Sequence, residues 1–305
     1  MYGKQAYIVG ILAWLATAGI VTAWQLATRW GVTTSLTPVD LALLRYGIPG
    51  VFWAPLLWRR GVYAVDSPWW LTALIVFGGG LPFGLLGMAG AQFAPAAHMG
   101  ALLPGSMPLF VAMLSALALG ERPTRMRLIG LGLIVVAVFL ITGGTLVDGF
   151  GTDTILGDGL FLLAGVSWAI YTIAFRKSGL DPWHCAAIIC GWSTIVIVPL
   201  WYLSPTTGLM TAPVQDVVLQ VLVQGFLAGL FGMAIFGVAV TRLGPSATAL
   251  SGAVVPAVTA IGGWLLLGEI IADFTIAGII VMIAGLAAFT VGGVRAASVP
   301  NTVKT

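Results

Sequence analysis

Residues 108–130, PLFVAMLSALALGERPTRMRLIG, and residues 256–278, PAVTAIGGWLLLGEIIADFTIAG, share one pattern at an offset of 148. The offset sets Pro108 on Pro256, Gly120-Glu121 on Gly268-Glu269, Gly130 on Gly278 and, further along, Thr142 on Thr290. Upstream, an offset of 144 carries Trp24 onto Trp168, Pro38 onto Pro182 and Pro55 onto Pro199. Prolines, tryptophans and Gly-Glu pairs held in register over two long blocks mark an internal duplication, beyond the general likeness of apolar helices.

The duplicated unit belongs in a membrane. Of the 305 residues, 59% are hydrophobic and only 8% charged, against about 25% charged in a soluble domain. A hydrocarbon core of about 30 Å needs ~20 apolar residues per helical span, and the sequence predicts ten: Ala6–Thr28, Pro38–Trp58, Trp69–Ala91, Pro95–Leu119, Arg127–Thr142, Leu156–Lys177, Pro182–Leu203, Val217–Thr241, Pro245–Leu267 and Thr275–Val291. The first is too long for a signal-peptide core and ends at Arg29 without a small-residue cleavage site, so it is read as a span. The expected fold is an all-α membrane protein of two five-helix repeats, residues 1–147 and 148–305. Five is odd, so the second copy enters the membrane in the opposite sense to the first, as in many secondary transporters.

Charge sets the expected direction. With ten spans, Lys4, Arg59, Arg60, Arg122, Arg125, Arg127, Arg176, Lys177, Arg242, Arg295 and Lys304 share the side of the termini, and Arg29 alone lies opposite. Cytoplasmic loops carry the excess of Lys and Arg, so both termini are expected in the cytoplasm. The acids Asp148, Asp153, Asp158, Asp216, Glu269 and Asp273 fall in or beside the external loops.

Several chemistries are excluded by what is missing. The sequence holds no Walker A motif, no zinc-protease pattern and no nucleophile elbow, so neither ATP hydrolysis nor a catalytic residue is expected. Cys185 and Cys190, five residues apart in an apolar run, read as reduced packing residues. Two lone histidines make no metal site, no cofactor is expected, and a net charge of +3 gives no reason to invoke nucleic acid. "FGGGLPFG" (residues 77–84) lacks the P-loop pattern; Gly80 and Pro82 are better read as a bend or close-packing site, with Pro108, Gly229 and Pro256 as the other hinge candidates.

Helical periodicity picks out the faces expected to line a path. Trp14, Thr17, Trp24, Gln25 and Thr28 fall within about 100° on the first helix, opposite Leu12, Leu15 and Leu26. Amides and hydroxyls are disfavoured against lipid, so this face should meet protein or a water-filled cavity. Ser167, Trp168, Tyr171 and Phe175 group likewise on the sixth helix; His98 and Ser106 share the fourth, Ser251 and Thr259 the ninth, Phe77 lies on the third and Gln224 on the eighth. Two residues break the internal symmetry. Arg45 lies about 8 Å deeper than Asp40 at ~1.5 Å per residue. Its readings are a substrate-carboxylate anchor, a snorkelling side chain or a structural pair with an acid. His98 reads as a pH sensor, a substrate ligand or a packing imidazole. With no Asp or Glu near the middle of a span, facilitated diffusion or exchange is expected in preference to proton coupling.

The runs LLPGSMPLFVAMLSALALGERPTRMRLIGLGLIVVAVFLI and LSGAVVPAVTAIGGWLLLGEIIADFTIAGIIVMIAGLAAF each resemble the fourth and fifth helices of an EamA domain of the drug/metabolite transporter superfamily. The resemblance implies ten helices in two inverted repeats around a central cavity, and export of a small metabolite across a bacterial inner membrane. The Trp-rich faces are also similar to those of the aromatic amino-acid exporters of that family, which makes an aromatic or other hydrophobic amino acid the leading substrate. Drugs, nucleosides or cofactor precursors are the alternative cargo; from other classes, a membrane enzyme or scramblase would need a polar cluster that is not found, and a structural subunit would need helices apolar all round. Expected partners are thus a small solute and the lipid bilayer, with the oligomeric state left open.

Overall fold

The computed structural model describes residues 2–64, 67–147, 151–243 and 251–297. Its helices run α1 (Tyr2–Thr34), α2 (Pro38–Arg60), α3 (Trp69–Phe93), α4 (Ala96–Leu119), α5 (Arg125–Val147), α6 (Thr152–Ser178), α7 (Pro182–Leu203), α8 (residues 214–243), α9 (Ser251–Leu267) and α10 (Asp273–Ala297). Nine of these are long and apolar enough to cross a membrane, and α9, over its described residues, is a shorter apolar helix. The protein is an all-helical membrane protein of two duplicated halves.

Local chemistry explains where the helices start and stop. Thr37 and Asp40 form a reciprocal capping box around Pro38 at the head of α2: the Asp40 amide donates to Thr37 Oγ1 at 3.2 Å and the Thr37 amide to Asp40 Oδ2 at 2.9 Å. At the equivalent head of α7, the Asp181 carboxylate accepts from the amides of Trp183 and His184, with Pro182 first in the helix. The two Gly-Glu ends are also alike. Gly120 and Gly268 both take the left-handed conformation at φ +67°, and the amides of Glu121 and Glu269 donate back to Ser115 and Gly263 carbonyls at 3.4 and 3.1 Å. Each helix thus ends in a left-handed residue closed by a wide backbone turn, a position that favours glycine because a Cβ is strained at positive φ.

The halves interlock by the same rule in both directions. Helix α1 packs against α8 and α9 of the second half, α6 packs against α3 and α4 of the first, and α2, α4 and α5 lie against α7, α9 and α10. The α5–α10 seam brings backbones together: a Cβ on Gly130 would lie 2.5 Å from the Phe289 amide nitrogen, and one on Gly285 would lie 2.9 Å from the Gly130 carbonyl. Small residues at such seams let helices approach closely in lipid, where no hydrophobic force drives them together.

Three helices are irregular near mid-bundle. Helix α2 contains a π-helical turn at Leu43–Gly47, α8 a longer one at Val221–Phe231, and α3 is interrupted at Gly80. An interruption in hydrocarbon leaves backbone groups that water does not reach. Here the Leu81 amide donates to Ser193 Oγ at 3.0 Å and the Phe77 carbonyl accepts from Ser167 Oγ at 3.3 Å, so side chains from α7 and α6 complete the break. Tyr46 Oη adds a second donor, at 2.7 Å, to a Gly80 carbonyl that already accepts from the Gly84 amide.

Two expectations about charge are corrected. Helix α1 continues to Thr34, so Arg29, expected beyond its end, is a helical residue turned inward. Helix α6 begins at Thr152 instead of Leu156, which carries Asp158 from beside a loop into a fully buried position.

The seam gives a stability test. Gly130→Leu is expected to lower the thermal midpoint of the purified protein, because overpacking costs about 1–3 kcal/mol, whereas Gly132→Leu, with nothing within 4 Å of its Cβ position, should leave the midpoint unchanged. Equal midpoints for the two variants would contradict the close approach of α5 and α10.

Candidate functional site

A row of aromatic rings crosses the interior between the halves. Trp24 on α1 stacks on Phe83 of α3 at 6.4 Å between centroids, Phe83 meets Trp168 of α6 at 5.0 Å, Trp168 meets Tyr171 at 4.9 Å and Tyr171 stacks on Phe175 at 5.8 Å. Arg45 lies over one end of the row, its guanidinium carbon 4.6 Å from the Trp24 ring centroid. Stacking a cation on an aromatic face is favourable by ~0.5–2 kcal/mol and leaves the N–H edges free to bond elsewhere.

Buried polar atoms with no hydrogen-bond partner among the described residues occur at the Arg45 end of the row and on helices α1, α4 and α8. They include the donors Trp24 Nε1, Gln25 Nε2, Arg45 Nε and Arg45 Nη1, the acceptor Gln224 Oε1, and the Ser106 hydroxyl. Each buried group left unpaired costs about 1–3 kcal/mol, so a cluster of them marks a place built for something else than stability. Donors outnumber acceptors, and one of the groups carries full positive charge. Such a set suits a carboxylate, with Gln224 Oε1 able to accept from an ammonium or hydroxyl group.

The backbone explains how Arg45 reaches this place. It sits in the π-helical turn of α2, a type of local widening found often at functional sites. Its own carbonyl lies 3.2 Å from where a Cβ on Gly229 would be, in the π-helical segment of α8. The two irregular turns therefore face each other. Around them the polar groups of α1 are tied to the second half: Gln220 Nε2 donates to the Ala27 carbonyl at 2.6 Å, Gln224 Nε2 to Thr28 Oγ1 at 2.9 Å, and Thr259 Oγ1 to Gln25 Oε1 at 2.7 Å.

The other sequence candidates are distributed as follows. Trp14 and Thr17 lie nearer the start of α1, where the Thr17 hydroxyl bonds the Ala13 carbonyl at 2.8 Å. Ser106 is fully buried against Gly165, 2.6 Å from where its Cβ would be. The side chain of Ser251 is outside the described residues. Pro108 and Pro256 are interior to α4 and α9, and Pro82 is in the first turn after the α3 break. Phe77 needs correction: it is 51% exposed and lines a separate apolar crevice of about 550 Å³ with Trp69, Pro82 and Trp192, away from the aromatic row. Phe83 takes the interior place instead. The break at Gly80 resets the helical phase, so continuing the 3.6-residue period through it selects the wrong ring. Tyr46 was also missed, since its role depends on the same break.

His98 is buried with Asp158 and Thr275. Its Nδ1 is 2.8 Å from Asp158 Oδ1 and its Nε2 3.0 Å from Thr275 Oγ1, joining α4, α6 and α10. The imidazole is therefore engaged with the protein on both nitrogens, apart from the aromatic row.

Ion pairs close both ends of the bundle. At the end away from the termini, Arg29 Nε meets Glu269 Oε1 at 2.7 Å, with 18% and 14% of the two side chains exposed. At the termini end, Arg176 Nη2 meets Glu121 Oε1 at 2.6 Å, with 46% and 47% exposed. The Arg176 hydrogen bond, reinforced by its charge, holds the Glu121 carboxyl below the usual carboxylate range. Among the described residues there is no group of His, Cys, Asp and Glu that would hold a metal ion.

Comparison with known proteins agrees with this geometry. The EamA-like transporter family matches residues 8–143 and 155–291, once in each half. An uncharacterized transporter of Archaeoglobus fulgidus is 28% identical over 82% of this chain and 87% of its own length. A probable amino-acid metabolite efflux pump of Salmonella typhimurium is 26% identical over 71% of this chain and 75% of its own. A solved crystal structure with 18% identity shares the fold, at a TM-score of 0.61 over 95% of this chain and 98% of that one. With both halves matched and the interior arranged between them, the chain belongs to the EamA-like transporter family of the drug/metabolite transporter superfamily, whose members are transporters and not enzymes.

Proposed function

We propose that this transporter exports small amphiphilic metabolites across a bacterial inner membrane by alternating access, with both termini in the cytoplasm. Its leading cargo is an amino acid with an aromatic or other apolar side chain. The observation that carries the substrate class is Arg45, half-buried and stacked on Trp24 at the head of an aromatic row, whose buried Nε and Nη1 have no partner among the described residues. In this reading the solute carboxylate bonds Arg45 and the indole N–H of Trp24, its ammonium group meets Gln224 Oε1, and its side chain lies along Phe83, Trp168 and Tyr171.

The snorkelling alternative for Arg45 is disfavoured because its Nε and Nη1 are buried, and no ion pair to Arg45 occurs among the described residues. A Salmonella relative named as a probable amino-acid metabolite efflux pump supports the same class of cargo. The eleven-to-one distribution of bases supports the orientation. Drugs, nucleosides and cofactor precursors remain the rival cargo and enter the test directly.

Purified protein in liposomes is expected to give saturable flux of aromatic and large apolar amino acids, driven by the solute gradient alone. Saturable flux of cationic drugs or nucleosides with none for amino acids would overturn the substrate reading. Strong acceleration by an inward proton gradient at fixed membrane potential would overturn the uncoupled mechanism and turn attention to His98 and Asp158. Arg45→Gln should fold normally and lower apparent affinity for the amino acid by about 10- to 100-fold, the equivalent of the ~1.5–3 kcal/mol of a charge-assisted hydrogen bond. Unchanged affinity in a folded variant would remove Arg45 from recognition.

A further inference from the structure

Three ion pairs between acids and arginines join the halves among the described residues; Arg60–Asp181, exposed at the termini end, has no counterpart, whereas the other two are related by the internal repeat. Glu121 and Glu269 are equivalent positions, each directly after the left-handed glycine that ends the fourth helix of its half. Arg29 and Arg176 both lie on the first helix of a half. Under the offset of 144, Arg29 corresponds to Ile173, so Arg176 is three residues further out, about one turn along the same helical face. Each pair consequently joins the first helix of one half to the end of the fourth helix of the other, once at each end of the bundle.

The pairs differ in tightness. The Arg29–Glu269 pair is mostly buried and bound into the backbone of the first half: Arg29 Nη1 donates to the Ala91 and Gln92 carbonyls at 2.6 and 3.2 Å, and Glu269 Oε2 accepts from the Ala96 amide at 2.8 Å. It thus serves the end of α3 and the start of α4 at once. The Arg176–Glu121 pair is about half exposed, and its further bond, to Ser115 Oγ, is long at 3.4 Å. A transporter built from inverted repeats passes between two states in which the halves exchange roles, so a contact tight at one end in one state should be loose in the other.

We infer that Arg29–Glu269 and Arg176–Glu121 are the paired latches of the transport cycle, one for each side of the membrane, and that the structure has the latch away from the termini shut. The inference rests on the alternating-access reading but not on any choice of solute. The four residues are positioning residues for the conformational change and do not contact the solute. Opening to the far side requires Arg29 and Glu269 to part, while Arg176 and Glu121, already 2.6 Å apart, pass from half-exposed to buried as their end closes over them.

The test is hydrogen–deuterium exchange on the full chain in lipid nanodiscs, which needs no substrate and so stands apart from the flux assay. Glu269→Gln should speed exchange at residues 91–99 and 263–269 by about tenfold and slow it at 115–122 and 173–178. Glu121→Gln should give the reverse, speeding its own end by about threefold, as fits an exposed pair. Because Glu121 and Arg176 are surface residues, that variant folds even where the buried one does not, and its slowing of exchange at residues 91–99 is the decisive reading. The double reversal Arg176→Glu with Glu121→Arg should restore the original pattern. If each variant loosens only its own end and leaves the opposite end unchanged, the pairs are local helix caps and the inference fails.

Discussion

The hydrogen bond from the Leu81 amide to Ser193, with its companion from Ser167 to the Phe77 carbonyl, answers the strictest demand on this chain. Inside a bilayer a helix that is interrupted exposes backbone groups for which no water is at hand, at a cost of several kcal/mol each. Residues of α7 and α6 supply the missing bonds, and Tyr46 of α2 adds a further donor at Gly80. The break in α3 is tolerable only while those helices stay beside it. The break in turn sets Phe83 toward the interior, and so the row of rings from Trp24 to Phe175 depends on two hydrogen bonds that touch none of them.

The same demand shapes the ends. Ala91 and Gln92 end α3, and Ala96 begins α4, so carbonyls and an amide at that corner lack helical partners. Arg29 bonds the carbonyls and Glu269 bonds the amide, while the two side chains bond each other. One ion pair completes two helix ends and fastens the halves together. A backbone contact such as Gly130 against Gly285 has no slack and serves as fixed seam. Long side chains are different, because a pair of them can part by rotation about single bonds without disturbing either helix.

How far the sequence discloses this follows from how local each signal is. The duplication, the number of helices and their alternation were legible, because they rest on repeated prolines, Gly-Glu pairs and apolar runs that need no partner to be recognised. Helical periodicity selects Trp24, Trp168 and Tyr171, and a charge inside a span with no twin in the other half selects Arg45; the structure has the three rings in one row with Arg45 over its end. Phe77 was mistaken for an interior residue since periodicity carries through Gly80 only if the helix does. Asp158 reads from the sequence as an acid at the loop end of the sixth span, and its burial is not legible there because His98, its partner, lies 60 residues away. Glu121 and Glu269 looked like markers of a turn. Their arginine partners lie 55 and 240 residues away, and no reading of a single segment discloses such a pairing.

The division between what is duplicated and what is single has a physical sense. Helix stops, seams and end pairs recur in both halves, as they must if the halves are to exchange roles across the membrane: a device needed on one side in one state is needed on the other side in the next. Arg45 does not recur, its equivalent being Ile189, and Gln224 and Phe83 have no twin in the aromatic row. The amino acid proposed as cargo has a charged head and an apolar side chain, with no twofold axis relating them. A site symmetric about the repeat axis would bind it equally in two orientations, and half of the polar groups would be left unpaired in either. Recognition of such a solute therefore has to break the symmetry that movement requires, and the residues in which the two halves differ are the ones placed to do so.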